Sequence, residues 1–160
     1  MTPSEQMAIN KKLMVQCRKV NCSPEDISTL VNLGAQVDSS DINGETPLHI
    51  ASMGRNIELC SELVSRGAKV NVQDRNGSTP LHKAAALGSA QMCEFFVSKG
   101  ANINAIDHEK LTPLMIAVSY GHFDTCLSLL RSDAGSDFIK KFISSEKSGK
   151  KNKGPSINPP

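Results

Sequence analysis

His49, in "DINGETPLHIA", and His82, in "DRNGSTPLHKA", are the residues of this chain best suited to proton transfer or metal ligation, because imidazole changes charge near neutral pH and readily binds metals. Cys60, Cys93 and Cys126 could supply thiolates for a metal or a redox reaction, with Cys17 and Cys22 near the N-terminus. Both chemistries need convergence. Zinc holds its ligands about 2.0–2.3 Å from one centre, and a nucleophile needs its base within hydrogen-bond reach. The chain instead spaces these groups evenly: His49 to His82, Cys60 to Cys93 and Cys93 to Cys126 are each 33 residues apart. A catalytic centre has little use for the same side chain in every layer of a structure. No Cys-x-x-Cys, paired-histidine, H-E-x-x-H or G-x-S-x-G motif occurs, nor any phosphate-cradling glycine loop. The expectation is a protein without catalytic residues, cofactor or metal.

The interval of 33 governs the rest of the chain as well. "ETPLHIA", "STPLHKA" and "LTPLMIA" place Thr46, Thr79 and Thr112 in one column. Asp41, Asp74 and Asp107 precede them in a second, and Gly34, Gly67 and Gly100, each followed by Ala, form a third. Each unit reads as local structure. Thr46 suits a helix N-cap and Pro47 the first helical position, where a missing N–H costs nothing. A short helix through Leu48, Ile50 and Ala51 ends near Gly54 and Arg55, where other units have Gly88 and Gly121. Ile57, Cys60, Leu63 and Val64 then give one apolar face of a second helix, stopped by Gly67. The run "AKVNVQDRNG" looks extended, with a chain reversal at Asn76-Gly77. One unit is thus a helix, a turn, a helix and a hairpin. Thr2-Pro3-Ser4-Glu5 offers a capping box for a longer first helix, and Ser23-Pro24-Glu25-Asp26 a start for the second.

A 33-residue period carrying T-P-L-H-x-A resembles the ankyrin-repeat family over roughly residues 5–132. The resemblance implies an all-α solenoid of stacked helix-turn-helix units with protruding β-hairpin loops. The repeats fall at about 5–38, 41–73, 74–106 and 107–139, inside a domain of residues 1–143. Units one and four are degenerate: unit one lacks the motif, and unit four has Lys110 for the hairpin glycine, Met115 for histidine and Asp133 for the closing glycine. The resemblance also implies that His49 and His82 brace the hairpin base, bonding to the motif threonine and nearby backbone. Met115 is expected to fill that place by apolar packing alone. The cysteine column is expected in the core, while Cys17 and Cys22 stay open, one of them potentially exposed and oxidisable.

The 160-residue chain has a formal net charge of +2 and 39% hydrophobic residues, enough for one soluble core. No apolar run approaches the roughly 18 residues of a membrane span, and the N-terminus lacks an apolar signal region. Cytoplasm and nucleus are the expected locations, with reduced thiols. Acids and bases number 4 and 4 in residues 1–40, 9 and 8 in 41–132, and 3 and 6 in 133–160, so the positive excess lies in the tail. Phe138, Ile139, Phe142 and Ile143 have helical spacing and could cover the last unit. Residues 144–160 read as a disordered Lys-rich tail, with nuclear import or an anionic partner as a further reading.

Because the motif builds the frame, specificity is expected where matching units differ. Ankyrin repeats mostly bind proteins across the hairpin tips and inner helices, a concave face. The candidate partner-binding residues are Ile42, Glu45, Met53, Arg75, Asn76, Ser78, Leu87, His108, Leu111 and Tyr120. Tyr120 beside Leu87, with Met53, Ile106 and Leu111, would make an apolar strip edged by Glu45, Arg75, His108 and Glu109. The function expected is an adaptor or inhibitor that binds a protein partner and acts as a monomer, with neither small-molecule substrate nor membrane, and with nucleic acid disfavoured by the charge balance. In size it resembles the ankyrin-type kinase inhibitors. The alternatives are a regulatory or substrate-recognition subunit of a ubiquitin-ligase or proteasome-associated assembly, and anionic-partner binding through the lysine tail.

Overall fold

The computed structural model describes residues 1–132. It contains eight helices in chain order: α1 (Pro3–Cys17), α2 (Pro24–Asn32), α3 (Pro47–Met53), α4 (Ile57–Ser65), α5 (Pro80–Ala86), α6 (Ala90–Ser98), α7 (Pro113–Ser119) and α8 (Phe123–Arg131). Each odd-numbered helix packs on the even-numbered helix that follows it, and α1, α3, α5 and α7 stack into one row. On the other side of that row α4 packs on α2 and α8 on α6. This is the all-α solenoid that the resemblance implies. The segment with Phe138 and Phe142 and the tail of residues 144–160 lie outside the described residues.

Local rules start the helices where the sequence places them. Thr46, Thr79 and Thr112 are N-caps with φ of −89°, −90° and −89°. The Thr112 hydroxyl accepts from the Met115 N–H at 3.3 Å. Proline follows each cap at the first helical position, where its fixed φ suits the helix. At Thr2 and Ser23 the capping boxes form in full, with Glu5 and Asp26 reaching back to the cap backbone. Helix α1, 15 residues long, is thereby twice the length of the 7-residue helices in its row.

The stack is filled by side chains that recur in register. Leu48 and Leu81 on the first row, and Leu59, Leu63, Met92 and Phe96 on α4 and α6, are closed off from water. Each such side chain contributes roughly 1.5–3 kcal/mol of burial. The thiols of Cys60 and Cys93 join them, and burial pushes both up to about 12, so they stay protonated. Cys126 is only half-buried. Cys17 and Cys22 are both buried, so neither is the exposed, oxidisable thiol that the sequence leaves open.

Two features differ from the sequence expectation. No strand occurs among the described residues, and the loops are turns in place of hairpin ladders. Asp74 shows why. Its backbone N–H donates to the Ser78 carbonyl at 2.9 Å, while its Oδ1 accepts from the N–H groups of Asn76 (2.8 Å) and Ser78 (2.9 Å). The carboxylate takes donors that a ladder would have paired. Asp41 and Asp107 do the same in their own turns. At the turn position where Gly44 and Gly77 have φ of 74° and 75°, Lys110 is held at 65°, in the left-handed region that costs a side-chain-bearing residue roughly 1–2 kcal/mol.

The other difference is at the far end. Met115 is 46% exposed, where its column mates His49 and His82 are 0% and 1%. Val118 is 62% exposed, where Ser52 and Ala85 are both 0%. These columns are buried by the following unit, and no described unit follows the fourth. Met115 therefore does not fill its place by packing. Unit four carries a further weakness, since Thr125 stands in the column of Leu59 and Met92 with its hydroxyl buried and unpaired.

Candidate protein-binding face

His49 and His82 are fixed by identical networks. The Thr46 N–H donates to His49 Nδ1 at 3.1 Å and the Thr46 hydroxyl lies 2.9 Å from the same nitrogen. Nδ1 must therefore carry its lone pair, and Nε2 its hydrogen. That hydrogen is donated to the carbonyl of Ser78, one unit further on, at 2.9 Å. For His82 the Thr79 N–H bonds Nδ1 at 3.1 Å, and Nε2 donates to the Leu111 carbonyl at 3.1 Å. Both rings are thus neutral, with every polar atom committed. Burial holds each below the ordinary histidine range, and the protonated form would oppose a proton on Nδ1 to a backbone N–H. A ring with no free lone pair serves neither as a base nor as a metal ligand. The histidines are bolts between units, as the resemblance implies, and each reaches the next unit as well as its own turn.

The turn tips are joined along the array. The Arg75 N–H donates to the Asn43 carbonyl and the His108 N–H to the Asn76 carbonyl, both at 2.9 Å. This lays the tips side by side in one row, edged by the first-row helices. Ile42, Arg75, Asn76 and His108 are exposed on that row. His108 lies over Gly77 so closely that a Cβ there would meet its ring at 2.7 Å. Ser78 and Leu111 are half-buried, and their carbonyls are the histidine acceptors, so part of each serves the frame.

Glu45 and Lys83, which distinguish units two and three from their neighbours, turn out to face each other. Lys83 Nζ lies 3.1 Å from Glu45 Oε1 and 2.7 Å from Asp74 Oδ2. Burial alone would raise the Asp74 carboxyl, but the Lys83 ammonium and the N–H groups of Ser78 and Asn76 outweigh it and hold the group below its usual range. Burial likewise opposes the Lys83 charge, and its two carboxylate partners raise it above the ordinary lysine value. A difference between copies that could have met a partner is thus spent partly inside the array.

Tyr120 is 66% exposed and stacks on His122 at a ring separation of 6.0 Å and an angle of 21°. His122 Nε2 donates to the Ala86 carbonyl of unit three at 2.9 Å. Leu87 is half-buried and its carbonyl accepts from the Arg55 guanidinium. Met53, Ile106 and Glu109 are exposed. Sequence reasoning missed His122, which replaces the N-cap residues Asn56 and Ser89 in its column. That substitution was the available signal.

It also missed a groove. Helix α1 and residues 36–43 enclose about 950 Å³ at the N-terminal end of the tip row, with Met7, Met14, Val15 and Ile42 in its walls. The signal was the spacing of Met7, Lys11, Met14 and Arg18, one stripe along α1.

The family model for ankyrin repeats, in three copies, matches residues 13–107 and 56–141. The chain belongs to the ankyrin-repeat family. Ankyrin repeats generally mediate protein–protein interaction. No curated protein matches the chain. Among the described residues no helix is long and apolar enough to cross a membrane, and no group of three or more metal-ligating side chains comes together.

Proposed function

We propose that this chain is a non-enzymatic binding module, an adaptor or inhibitor, which holds one protein partner across its turn tips and first-row helices. The observation that carries this is the division of labour along the motif. Chemically capable side chains are consumed by the frame, whereas the exposed and unlike residues Ile42, Arg75 and His108 occupy successive positions on one linked row, with Tyr120 exposed at the C-terminal end of the first-row helix α7. Exposed aromatics and arginines framed by apolar side chains are what protein interfaces use as anchors.

The test is capture of the partner from lysate by the full chain, identification by mass spectrometry, and titration against Ile42→Asp and Tyr120→Ala. Both positions are exposed, so folding should be unaffected. Loss of affinity by roughly tenfold or more in either variant is expected for an anchor residue. Folded variants that keep full affinity would show that this face is not the interface.

A further inference from the structure

The groove at the N-terminal end has two walls held in place by side-chain bonds. Gln6 donates to the Gly34 carbonyl at 2.8 Å, Asn10 Oδ1 accepts from the Gln36 N–H at 2.9 Å, and Arg18 pairs with Asp41 at 2.9 Å. These bonds tie α1 to the loop that carries Ile42, so the groove exists before any ligand arrives. Preorganisation of this kind lowers the entropic cost of binding. Met7 is 74% and Ile42 79% exposed, an unusual display of apolar surface on facing walls.

The charges around it are unequal. Lys11 and Arg18 line it, against Asp41. That carboxylate is engaged internally, accepting from its own turn and from Arg18. Lys11, in the groove wall, makes no ion pair among the described residues. The Ser39 hydroxyl, in the opposite wall, is shielded from water and has no hydrogen-bond partner.

From this juxtaposition we infer that the groove between α1 and residues 36–43 binds an acidic, amphipathic segment of a partner protein. Its apolar side chains pack between Met7, Val15 and Ile42, and a carboxylate meets Lys11. A backbone amide or carbonyl of the segment can satisfy Ser39 once that side chain turns toward it. Ile42 belongs both to this groove and to the tip row, so the inference rests on the proposed binding face and names the chemistry of the partner at one end of it.

The test pans the full chain against phage-displayed short random peptides, then measures the enriched sequences as fluorescent peptides by anisotropy. Wild type is compared with Met7→Asp, Lys11→Glu and Tyr120→Ala, with circular dichroism confirming the fold and Ile42→Asp replacing any variant that unfolds. The expected peptides combine Asp or Glu with Leu, Ile or Phe. Met7→Asp and Lys11→Glu each weaken them by roughly tenfold or more, and by more than Tyr120→Ala does. Absence of enrichment, peptides without acids, or equal binding to all variants overturns the inference. Binding to anionic phospholipid vesicles or to a poly-dT strand that Lys11→Glu abolishes and Met7→Asp spares would overturn it too, in favour of a plain basic surface. Peptides lost only in Tyr120→Ala would remove the groove while leaving the wider binding face standing.

Discussion

Replacing His82 with methionine, the residue unit four carries at the same position, should change how stability depends on pH as well as its value. In the folded chain His49 and His82 are neutral because their Nδ1 atoms accept from backbone N–H groups in a site closed to water. Their folded pKa values lie below the unfolded ones, so the unfolded chain binds more protons as pH falls. Stability is therefore complete above the unfolded histidine value, about 6.5, and declines as pH drops from there toward the depressed folded values. Each ring adds a slope of up to about 1.4 kcal/mol per pH unit. Between pH 7.5 and 5.0 that integrates to at most about 2 kcal/mol per ring, or about 4 kcal/mol for both, a large share of the roughly 5–15 kcal/mol of a typical domain. Carboxylates held low by their partners, such as Asp74, lose their contribution only nearer pH 4 and below, so this window belongs to the histidines. His82→Met should cost roughly 2–4 kcal/mol at pH 7.5, because the Leu111 carbonyl and Thr79 N–H lose their partner, and should halve the slope below pH 6.5. Urea denaturation at pH 7.5, 6.5, 5.5 and 5.0 measures both quantities. A variant that keeps the wild-type slope, or a wild type that is flat to pH 5.0, would refute the assignment of these rings as buried neutral bolts.

Other consequences can be checked separately. Lys83→Met leaves Asp74 and Glu45 without their shared cation, and a double-mutant cycle with Glu45→Gln should show a coupling of roughly 0.5–1.5 kcal/mol that shrinks in high salt; zero coupling would mean the pair is only geometric. Thr125→Val removes an unpaired buried hydroxyl at nearly constant shape and should raise stability by about 1 kcal/mol in denaturant titration. In native protein a thiol reagent such as Ellman's should label Cys126 first, with Cys17, Cys22, Cys60 and Cys93 reacting only on unfolding; early labelling of Cys60 or Cys93 would contradict their burial. If the segment containing Phe138, Ile139, Phe142 and Ile143 covers unit four, a chain ending at residue 132 should melt at lower temperature, and Val118→Asp should cost more in the full chain than in the shortened one.

The frame of this protein is written locally. A threonine before a proline caps a helix wherever it stands, apolar side chains at spacings of three and four give a helix one buried face, and copies 33 residues apart force like residues into like places. The order of the helices and the recurrence of His49 and His82 at one place in successive units follow from that register. The hairpin ladders do not, because whether a loop pairs its backbone or surrenders its N–H groups to an aspartate is a competition that "DRNG" leaves even. Only tertiary structure decided which unlike residues are free. Glu45 and Lys83 are 38 positions apart and meet through the offset between stacked units, and nothing in either segment marks the other as its partner. Met7 and Ile42 face across a groove because the long first helix lies against the loop of unit two. Contacts of this kind depend on the distance between elements, which a repeating pattern does not encode.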